Sequence, residues 1–365
     1  MKTFLLTLAG TLVLTTHSAA ASPGDDLPPP LPKDTLPKQI ELKAVPLGLG
    51  QQPASPKDNQ PTKERVALGR KLFFDPVLSA DGTVSCATCH RPDHGFASPE
   101  PIALGIKGRK GTRNAPSLLN RGLGTTFFWD GRAESLEDQA IKPIVNEVEL
   151  GNTYENLLTT LRRDEEMVDS FATAFGEGEP EKLVTKGNVG RALAAFQRTL
   201  LIGNSPIDAF QAGNHAAMTT QERQGFWLFE SRGGCWKCHS GVNYSDEQFH
   251  NTGVSFGTKK RDVGRFEVTK KAADRFAFKT PTLRGVALTA PYMHDGSLKT
   301  LKDVVEFYNK GGSRNDEGLD RKMEPLGLSP KEVDLLVAFL KALSRDVDTP
   351  SATDGGNGKR AAGAE

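Results

Sequence analysis

The sequence predicts a mostly α-helical fold with long loops and few short strands, divided into two domains. Apolar residues recur at helical spacing in several segments, whereas the alternating pattern typical of strands is short and rare. One Cys-x-x-Cys-His motif occurs in each half of the 365 residues, a length that suits two domains. We predict an N-terminal domain over 62–205 and a C-terminal domain over 206–348. Residues 330–345 belong to the second domain or pack back against the first.

Apolar stripes and capping patterns mark the predicted helices. The stripes cover five segments: 66–73, 157–161, 189–200, 226–229 and 333–343. Asn152 and Thr153 are candidate caps for the second of these. The last one follows Ser329, Pro330 and Glu332, a capping-box pattern with proline at the first helical position. No internal repeat is visible in the sequence apart from the two Cys-x-x-Cys-His motifs.

Both ends of the chain lack the pattern of a folded domain. Residues 1–21 combine an early lysine, an apolar stretch shorter than the roughly 20 residues of a membrane span, and a small-residue cleavage site. They predict a cleavable signal peptide and a periplasmic protein, with an uncleaved anchor as the alternative. The proline-rich residues 22–61 predict a linker or a segment draped over the body, and residues 349–365 predict a disordered tail.

Every cysteine of the chain belongs to one of two motifs that bind the same kind of group. The motifs are Cys86, Cys89 and His90 in the first half, and Cys235, Cys238 and His239 in the second. This pentapeptide is the attachment signature of c-type haem, in which two thiols one helical turn apart hold the porphyrin and the histidine binds the iron. A Cys₄ zinc site usually has its cysteine pairs within about 15–20 residues, and disulfides would not need the histidines. We therefore predict two covalent c-type haems.

Four further motifs carry a resemblance to a known family. They are Gly111–Pro116 (GTRNAP), Phe128–Arg132 (FWDGR), Thr280–Arg284 (TPTLR) and Ala290–Gly296 (APYMHDG). Together with the haem motifs, they resemble the bacterial dihaem cytochrome c peroxidases and their MauG-type relatives over about residues 67–344. The resemblance implies two cytochrome c-like domains with one haem each and a calcium ion between them. It also implies that hydrogen peroxide reacts at the N-terminal haem and that the C-terminal haem passes electrons to it.

The resemblance places three residues in the distal pocket of the N-terminal haem, namely Gln139, Pro143 and Glu149. Cleavage of a peroxide O–O bond needs a group that moves a proton from one oxygen to the other, and a carboxylate can do this. Glu149 is therefore the candidate general acid–base. The alternative is that Glu149 belongs to a solvated acidic stretch together with Glu147.

Trp129 and the calcium ligands are predicted to lie between the two haems. The indole of Trp129 would carry electrons across the gap, and a buried core tryptophan in an aromatic run is the alternative interpretation. The resemblance assigns calcium to the side chain of Asn114 and to the carbonyls of Thr289 and Pro291. Oxygen ligands of this kind suit a hard cation.

Ile106 departs from the peroxidase pattern. Peroxidases of this family often close the N-terminal haem with a histidine in the loop before the GTRNAP motif, and here Ile106 takes that place. Because carbon cannot ligate iron, the haem at His90 is predicted to be five-coordinate or to bind only water. His94 is the nearby alternative ligand, but it follows His90 too closely to reach the opposite haem face easily.

Tyr308 is the second departure, at the C-terminal haem. Peroxidases place an axial methionine fourteen residues after the histidine that corresponds to His294, whereas MauG-type relatives have an iron-ligating tyrosine there, and the count lands on Tyr308. A helix capped by Thr300 would place Tyr308 on its apolar face. A phenolate stabilises ferric iron, whereas a thioether raises the reduction potential. The alternative is an ordinary core tyrosine, with Met293 or Met323 as the ligand.

These features predict a periplasmic peroxidase that reduces hydrogen peroxide to water with electrons from a small c-type cytochrome or cupredoxin. A MauG-type enzyme that uses peroxide to oxidise tryptophan or tyrosine residues of a partner protein is the alternative. A non-catalytic dihaem electron carrier is the second alternative. The formal net charge of +1 gives no compositional case for nucleic acid or an anionic membrane as a partner. The sequence leaves the choice between monomer and homodimer open.

Overall fold

The computed structural model describes residues 44–313, 316 and 318–344 of the chain. The predicted signal peptide (1–21) and the predicted tail (349–365) lie outside the described residues. Within the described part, the secondary structure is mostly helical with long connections and one short antiparallel strand pair, as predicted. No helix in these ranges combines the length and the apolar character that a bilayer crossing needs.

The helices match most of the predicted stripes. In chain order they are α1 (Lys63–Phe74), α2 (Cys86–Cys89), α3 (Leu136–Val145), α4 (Tyr154–Arg163), α5 (Glu165–Phe175), α6 (Pro180–Leu183), α7 (Lys186–Gln197), α8 (Pro206–Gln211), α9 (Thr220–Glu230), α10 (Phe266–Thr269), α11 (Leu301–Asn309) and α12 (Pro330–Ala342). The strands are β1 (Phe249–His250) and β2 (Phe278–Lys279). Thr153, Thr300 and Ser329 are the observed N-caps of α4, α11 and α12. The stripe predicted over 189–200 is too long, because α7 ends at Gln197 and Leu200 is buried beyond it.

Two helix pairs that cross at a glycine organise two hydrophobic cores. On α1, a Cβ at Gly69 would lie 1.8 Å from the carbonyl oxygen of Ala192 on α7. On α9, a Cβ at Gly225 would lie 2.0 Å from the carbonyl oxygen of Leu335 on α12. A larger residue at either position would push the helices apart and disturb close packing. Both glycines lie in the helix that precedes a haem motif.

The two main buried clusters are formed by different parts of the chain. The first lies within residues 66–202 and includes α1, α4, α5 and α7, and the second lies within residues 207–343 and includes α9, α11 and α12. Helix α12 therefore packs with the C-terminal helices. Residues of α12 fall in the second cluster and not in the first, which favours the assignment of residues 330–345 to the C-terminal domain.

A structural repeat links the two halves, so the prediction of no repeat beyond the haem motifs is wrong. Residues 115–143 and 280–308 share a series of backbone features at a constant offset of 165 positions. Phe128 and Met293 have positive φ values of 65° and 75°, and each lies in a loop closed by an antiparallel bridge. Helices α3 and α11 then begin at equivalent positions, Leu136 and Leu301. Seven of the 29 aligned positions are identical but scattered, so the repeat becomes clear only when the shared backbone features align the two segments.

The two repeats contact each other through reciprocal backbone hydrogen bonds. The N–H of Asn114 donates to the carbonyl of His294 at 2.7 Å, and the N–H of Lys279 donates to the carbonyl of Trp129 at 2.8 Å. Asn114 and Lys279 are 165 positions apart, as are Trp129 and His294, so each bond is the counterpart of the other. The segment around Trp129 is therefore held between the two haem-binding halves.

Residues 44–61 lie against the body and are not a free linker. Arg284 donates to the carbonyl of Gly48 at 3.0 Å, and Arg198 donates to the carbonyl of Ala54 at 3.2 Å. Asn59 is only 1% exposed. Of the two interpretations of this proline-rich segment, the draped one describes the residues that the structure covers.

Candidate active site

Both haem motifs hold their histidine in the same way. Nδ1 of His90 lies 3.1 Å from the carbonyl of Phe96, and Nδ1 of His239 lies 2.9 Å from the carbonyl of Tyr244. A carbonyl only accepts, so Nδ1 carries the proton and Nε2 keeps the lone pair that binds iron. Burial lowers the pKa of both histidines, which favours the neutral, ligating form. Each motif therefore fits a c-type haem.

The cysteines do not form the alternative sites. All four are unpaired, so the structure contains no disulfide. In the described part of the chain, the side chains that come close enough to share a metal ion are Cys238, Asp246 and His250, not two cysteine pairs. His250 lies 2.6 Å from Asp320 and 3.0 Å from Asp246. Hydrogen bonds with Cys238, Asp320 and Asp246 raise its pKa to about 9, so this group is a charge network beside the second haem motif.

Glu149 lies beside the first haem motif and is set apart from its acidic neighbour. Glu147 is exposed, whereas Glu149 is half-buried, and Nδ2 of Asn146 donates to Oε1 of Glu149 at 2.6 Å. Burial raises the pKa of Glu149, and Arg132 and Asn146 partly oppose this rise. Burial raises the pKa of the Cys86 and Cys89 thiols, and the nearby charge of Glu149 adds to the rise.

Two other residues predicted near the first haem, Pro143 and Ile106, are connected to the loop of Glu149 by backbone hydrogen bonds. Gln139 and Pro143 lie one turn apart on α3, and the N–H of Asn146 donates to the carbonyl of Pro143 at 3.3 Å. Ile106 is 3% exposed and its N–H donates to the carbonyl of Glu149 at 2.8 Å. The loop of Ile106 and the loop of Glu149 are therefore directly connected.

The second haem motif lines a cavity of about 360 Å³, a size typical of cofactor sites. The cavity brings together predicted residues from distant parts of the chain: Asn114, Trp129, Cys235, Cys238, His239, Thr289, Pro291, Met293, Tyr308 and Met323. Trp129 comes from the N-terminal half, so both halves contribute to this wall. The three candidate iron ligands, Met293, Tyr308 and Met323, all border the cavity.

Tyr308 lies on the predicted face of α11. Leu301 and Val304 line the same cavity, and Val305 is buried in the adjacent core. Burial raises the pKa of Tyr308, with smaller contributions from Cys238 and Cys235, and a hydrogen bond with Thr252 opposes the rise. In the structural repeat, the residue equivalent to Tyr308 is Pro143 of α3 (165 positions earlier).

Trp129 and Asn114 contact each other. The indole Nε1 of Trp129 donates to the carbonyl of Asn114 at 2.9 Å. The side-chain amide of Asn114 donates to the carbonyls of Glu100 and Pro101 at 3.0 and 3.3 Å, which leaves Oδ1 as the remaining ligand atom of this side chain. Asn114 is 5% exposed, so its amide is held in a buried setting.

Comparison with known proteins identifies the family. Residues 63–216 match the family described as di-haem cytochrome c peroxidase. The methylamine utilization protein MauG of Methylorubrum extorquens is 41% identical over 293 residues, which cover 80% of this chain and 81% of that protein. Cytochrome c551 peroxidase of Pseudomonas aeruginosa is 37% identical over 296 residues, which cover 78% and 80%. The chain belongs to the di-haem cytochrome c peroxidase family.

Solved structures of this family share the fold. A MauG-like protein associated with microbial copper homeostasis aligns with a TM-score of 0.75 and 31% identity, over 85% of this chain and 94% of the other. The di-haem peroxidase BthA of Burkholderia thailandensis aligns with a TM-score of 0.68 and 25% identity, over 84% and 93%. As a member of the family, the chain is an oxidoreductase that acts on peroxide, and its two motifs bind two c-type haems.

The sequence did not point to several charged residues that the peroxidase fold gathers beside the second haem site. Arg121, Glu247 and Lys279 form one buried cluster. His294 stacks on Phe278 with a ring-centroid distance of 3.6 Å, and burial lowers its pKa to about 4. No motif marks Arg121, Glu247 or Lys279, because each becomes notable only through partners from distant segments, whereas His294 belongs to the Ala290–Gly296 motif.

Proposed function

We propose that this chain is an exported di-haem peroxidase that reduces hydrogen peroxide to water at the haem bound by His90. Electrons arrive through the haem bound by His239. The observation that carries this assignment is the pair of equivalent helix positions, Pro143 and Tyr308. Proline has no side-chain atom that ligates iron, whereas tyrosine offers a phenol oxygen. The same scaffold would therefore leave a coordination position free at the His90 haem and fill it at the His239 haem.

Glu149 is the proton-handling group of the open site. When bound, the haem supplies the iron and the electrons for O–O cleavage. Glu149 takes the proton from the peroxide oxygen that faces the iron and gives it to the departing oxygen, which leaves as water. Asn146 supports the carboxylate form at the start by donating to Oε1. Burial supports the return step, because it raises the pKa of Glu149 and so makes the acid form accessible.

The residues around Glu149 keep this site open and oriented. Ile106 takes the place of a ligand histidine and offers only carbon, so it leaves the resting iron accessible to peroxide. Pro143 presents an apolar surface to the same space. We assign to Gln139, one turn before Pro143 on α3, the role of hydrogen-bonding the incoming peroxide.

Tyr308 and Trp129 give the second site its electron-transfer role. Tyr308 would hold the iron bound by His239 through its phenol oxygen and would thereby close that site to peroxide. Trp129 lies in the wall of that cavity and is tied to both repeats by its carbonyl and its indole N–H. We assign the electron path between the haems to this indole.

The exposed residues of the two motifs support electron entry at the second haem. In the first motif Ala87 is 4% exposed, whereas the equivalent Trp236 in the second motif is 44% exposed. Electron transfer between proteins needs a haem edge close to the surface. This difference supports docking of a small c-type cytochrome or cupredoxin at the second motif, and the export pattern of residues 1–21 supports a periplasmic location for the chain.

A calcium ion between the halves completes the proposed cofactor set. Oδ1 of Asn114 and the carbonyls of Thr289 and Pro291 are hard oxygen donors of the kind that calcium prefers. Asn114 belongs to the N-terminal half, and the other two belong to the C-terminal half. Calcium bound to these oxygens would strengthen the contact between the two halves beside Trp129.

A MauG-type activity is the second candidate. The combination of Ile106 and Tyr308 favours it, because it gives an open first haem and a second haem that stabilises oxidised iron. In that case the oxidising equivalents would be used on tryptophan or tyrosine residues of a partner protein. Peroxide reacts at the same iron in both proposals.

Rapid mixing of the holoprotein with hydrogen peroxide tests the assignment. We expect a fast change in the Soret spectrum, followed by steady turnover when a reduced c-type cytochrome is added. Slow turnover with a long-lived oxidised state would favour the MauG-type activity instead. Two six-coordinate low-spin signals in the resting electron paramagnetic resonance spectrum, together with no response to peroxide, would leave only the electron carrier.

A further inference from the structure

Lys279 is a buried cation that borders the site of the second haem. It ends strand β2, where it pairs with Phe249 of β1, and its side chain is only 7% exposed. Lys279 lines the same cavity as Cys235 and His239. Its position next to a covalent haem therefore follows from the family's two c-type haems and not from the assignment of peroxide chemistry.

The nearest carboxylate is already occupied by another cation. Nη1 and Nη2 of Arg121 donate to the two oxygens of Glu247 at 2.9 and 3.1 Å, and the N–H of Thr125 adds a bond of 3.3 Å. Nζ of Lys279 reaches Oε2 of Glu247 only at 3.4 Å. This long contact is its one ion pair among the described residues, although an ammonium group has three donors.

The cluster therefore carries more positive than negative charge in a buried place. Arg121 and Lys279 share the single carboxylate of Glu247. A buried charge without a full partner is costly, and burial together with Arg121 lowers the pKa of Lys279 to about 7. A second carboxylate at this point would balance the charge and supply the missing acceptors. Each haem carries two propionate carboxylates.

We propose that Lys279 binds a propionate carboxylate of the C-terminal haem. Because the backbone N–H of Lys279 also donates to the carbonyl of Trp129, this residue connects the edge of the haem to the Trp129 segment. Lys279 is thus a cofactor-binding residue that also positions the proposed electron path. Arg121 neutralises Glu247, which leaves the ammonium group of Lys279 for the haem.

The test compares the holoproteins of Lys279→Gln, Lys279→Arg and a control, Lys270→Gln. Lys270 is 63% exposed and pairs with an exposed glutamate, so it reports on the loss of a distant surface charge. Resonance Raman spectra would follow the propionate bending bands, and redox titration would give the midpoint potential of the second haem. Pyridine haemochrome spectra would check that each variant carries two haems.

We expect Lys279→Gln to shift the propionate bands and to lower the equilibrium constant for reduction of the second haem about tenfold. For a one-electron couple this equals about 59 mV. Lys279→Arg keeps the charge but changes the donor geometry, so it should shift the bands with a smaller change of potential. The proposal would be overturned if the propionate bands of Lys279→Gln were the same as those of Lys270→Gln. If Lys279→Gln cannot be obtained with two haems, Lys279→Arg takes its place in the test. Propionate bands of Lys279→Arg that equal those of the wild type would then overturn the proposal.

Failure of this proposal and failure of the peroxidase assignment are distinguishable. The propionate bands and the potential are measured without peroxide, so they do not depend on turnover. A holoprotein that ignores peroxide would contradict the peroxidase assignment and leave the role of Lys279 intact.

Discussion

The region around His90 and the region around His239 hold their imidazoles in the same way but surround them with different side chains. Both use a backbone carbonyl to orient Nδ1, and each is followed along the chain by one copy of the structural repeat (115–143 and 280–308). The first region adds Glu149, a carboxyl group whose pKa is raised by burial. The second adds Tyr308 on α11 at the place where α3 has proline. Under the proposed function, the comparison teaches that one scaffold serves proton chemistry or electron transfer according to a few substituted side chains.

The two regions also differ in their access to the surface. The first motif packs into the larger apolar cluster through Cys86 and Ala87, whereas Trp236 of the second motif is 44% exposed. A buried attachment motif suits a reaction that must be shielded from competing reductants. An exposed one suits electron exchange with another protein.

Replacement of Glu149 should have the largest effect on the proposed difference between the two regions. Glu149→Gln removes the proton acceptor, so the rate of reaction with peroxide should fall by about 10²–10⁴-fold. Stopped-flow absorbance at the Soret band measures this rate. The matched control is Glu147→Gln, which changes an exposed neighbour and should leave the rate unchanged. Equal effects of the two variants would place Glu149 in a solvated acidic stretch.

The same residue predicts the pH dependence. The first step needs the carboxylate, which is lost as the pH falls below the raised pKa of Glu149. In the wild type, the rate of reaction with peroxide should therefore rise as the pH rises through that pKa. This pH-dependent rise should be absent in Glu149→Gln. If the rate of the Glu149→Gln variant still rises with pH in the same range, another group is responsible for the titration.

Replacement of Tyr308 tests the proposed iron ligand of the second region. Tyr308→Met should raise the midpoint potential of the second haem by a substantial part of the roughly 0.8 V that axial ligands span. Redox titration with low-temperature spectra measures the change. Tyr154→Phe is the control, because its hydroxyl contacts only a backbone carbonyl in the first half. An unchanged potential and spectrum would mean that Tyr308 is a core tyrosine and would turn attention to Met293 or Met323.

Replacement of Trp129 tests the connection between the regions. Trp129→Phe should slow electron delivery to the first haem while leaving the initial reaction with peroxide intact. The lost hydrogen bond to Asn114 should cost about 1 kcal/mol of unfolding free energy. Freeze-quench or stopped-flow measurements follow the transfer, and thermal melts follow the stability. Trp227→Phe on α9 is the control, since Trp227 is 64% exposed. Equal transfer rates in both variants would remove Trp129 from the path.

The smallest expected effect concerns Asn146. Its hydrogen bond lowers the pKa of Glu149, so Asn146→Ala should move the pH-dependent rise of the rate to higher pH. The rate at low pH should fall, and the rate at high pH should be nearly unchanged. Asn156→Ala, an exposed change on α4, controls for general destabilisation. A uniform loss at all pH values would indicate that Asn146 shapes the loop without tuning the carboxyl group.

Features that depend on neighbours along the chain were predictable from the sequence. The haem motifs are local, because one helical turn sets the spacing of the two thiols. The caps at Thr153, Thr300 and Ser329 and the apolar face that ends at Tyr308 follow from the helical period and from side chains that bind the first free N–H groups. The helical fold class followed from the same signals. The length of α7 did not, because Leu200 is buried by packing outside any helix.

By itself, the sequence determined the two attachment sites, the helical class and the candidates Glu149, Trp129 and Tyr308. Only the tertiary structure decided that Pro143 and Tyr308 are equivalent positions, and that Lys279 is buried beside Arg121. The physical reason is that burial and the balance of charge depend on partners that are more than a hundred residues apart in the chain. A side chain acquires its protonation, its acceptors and its access to solvent from those partners.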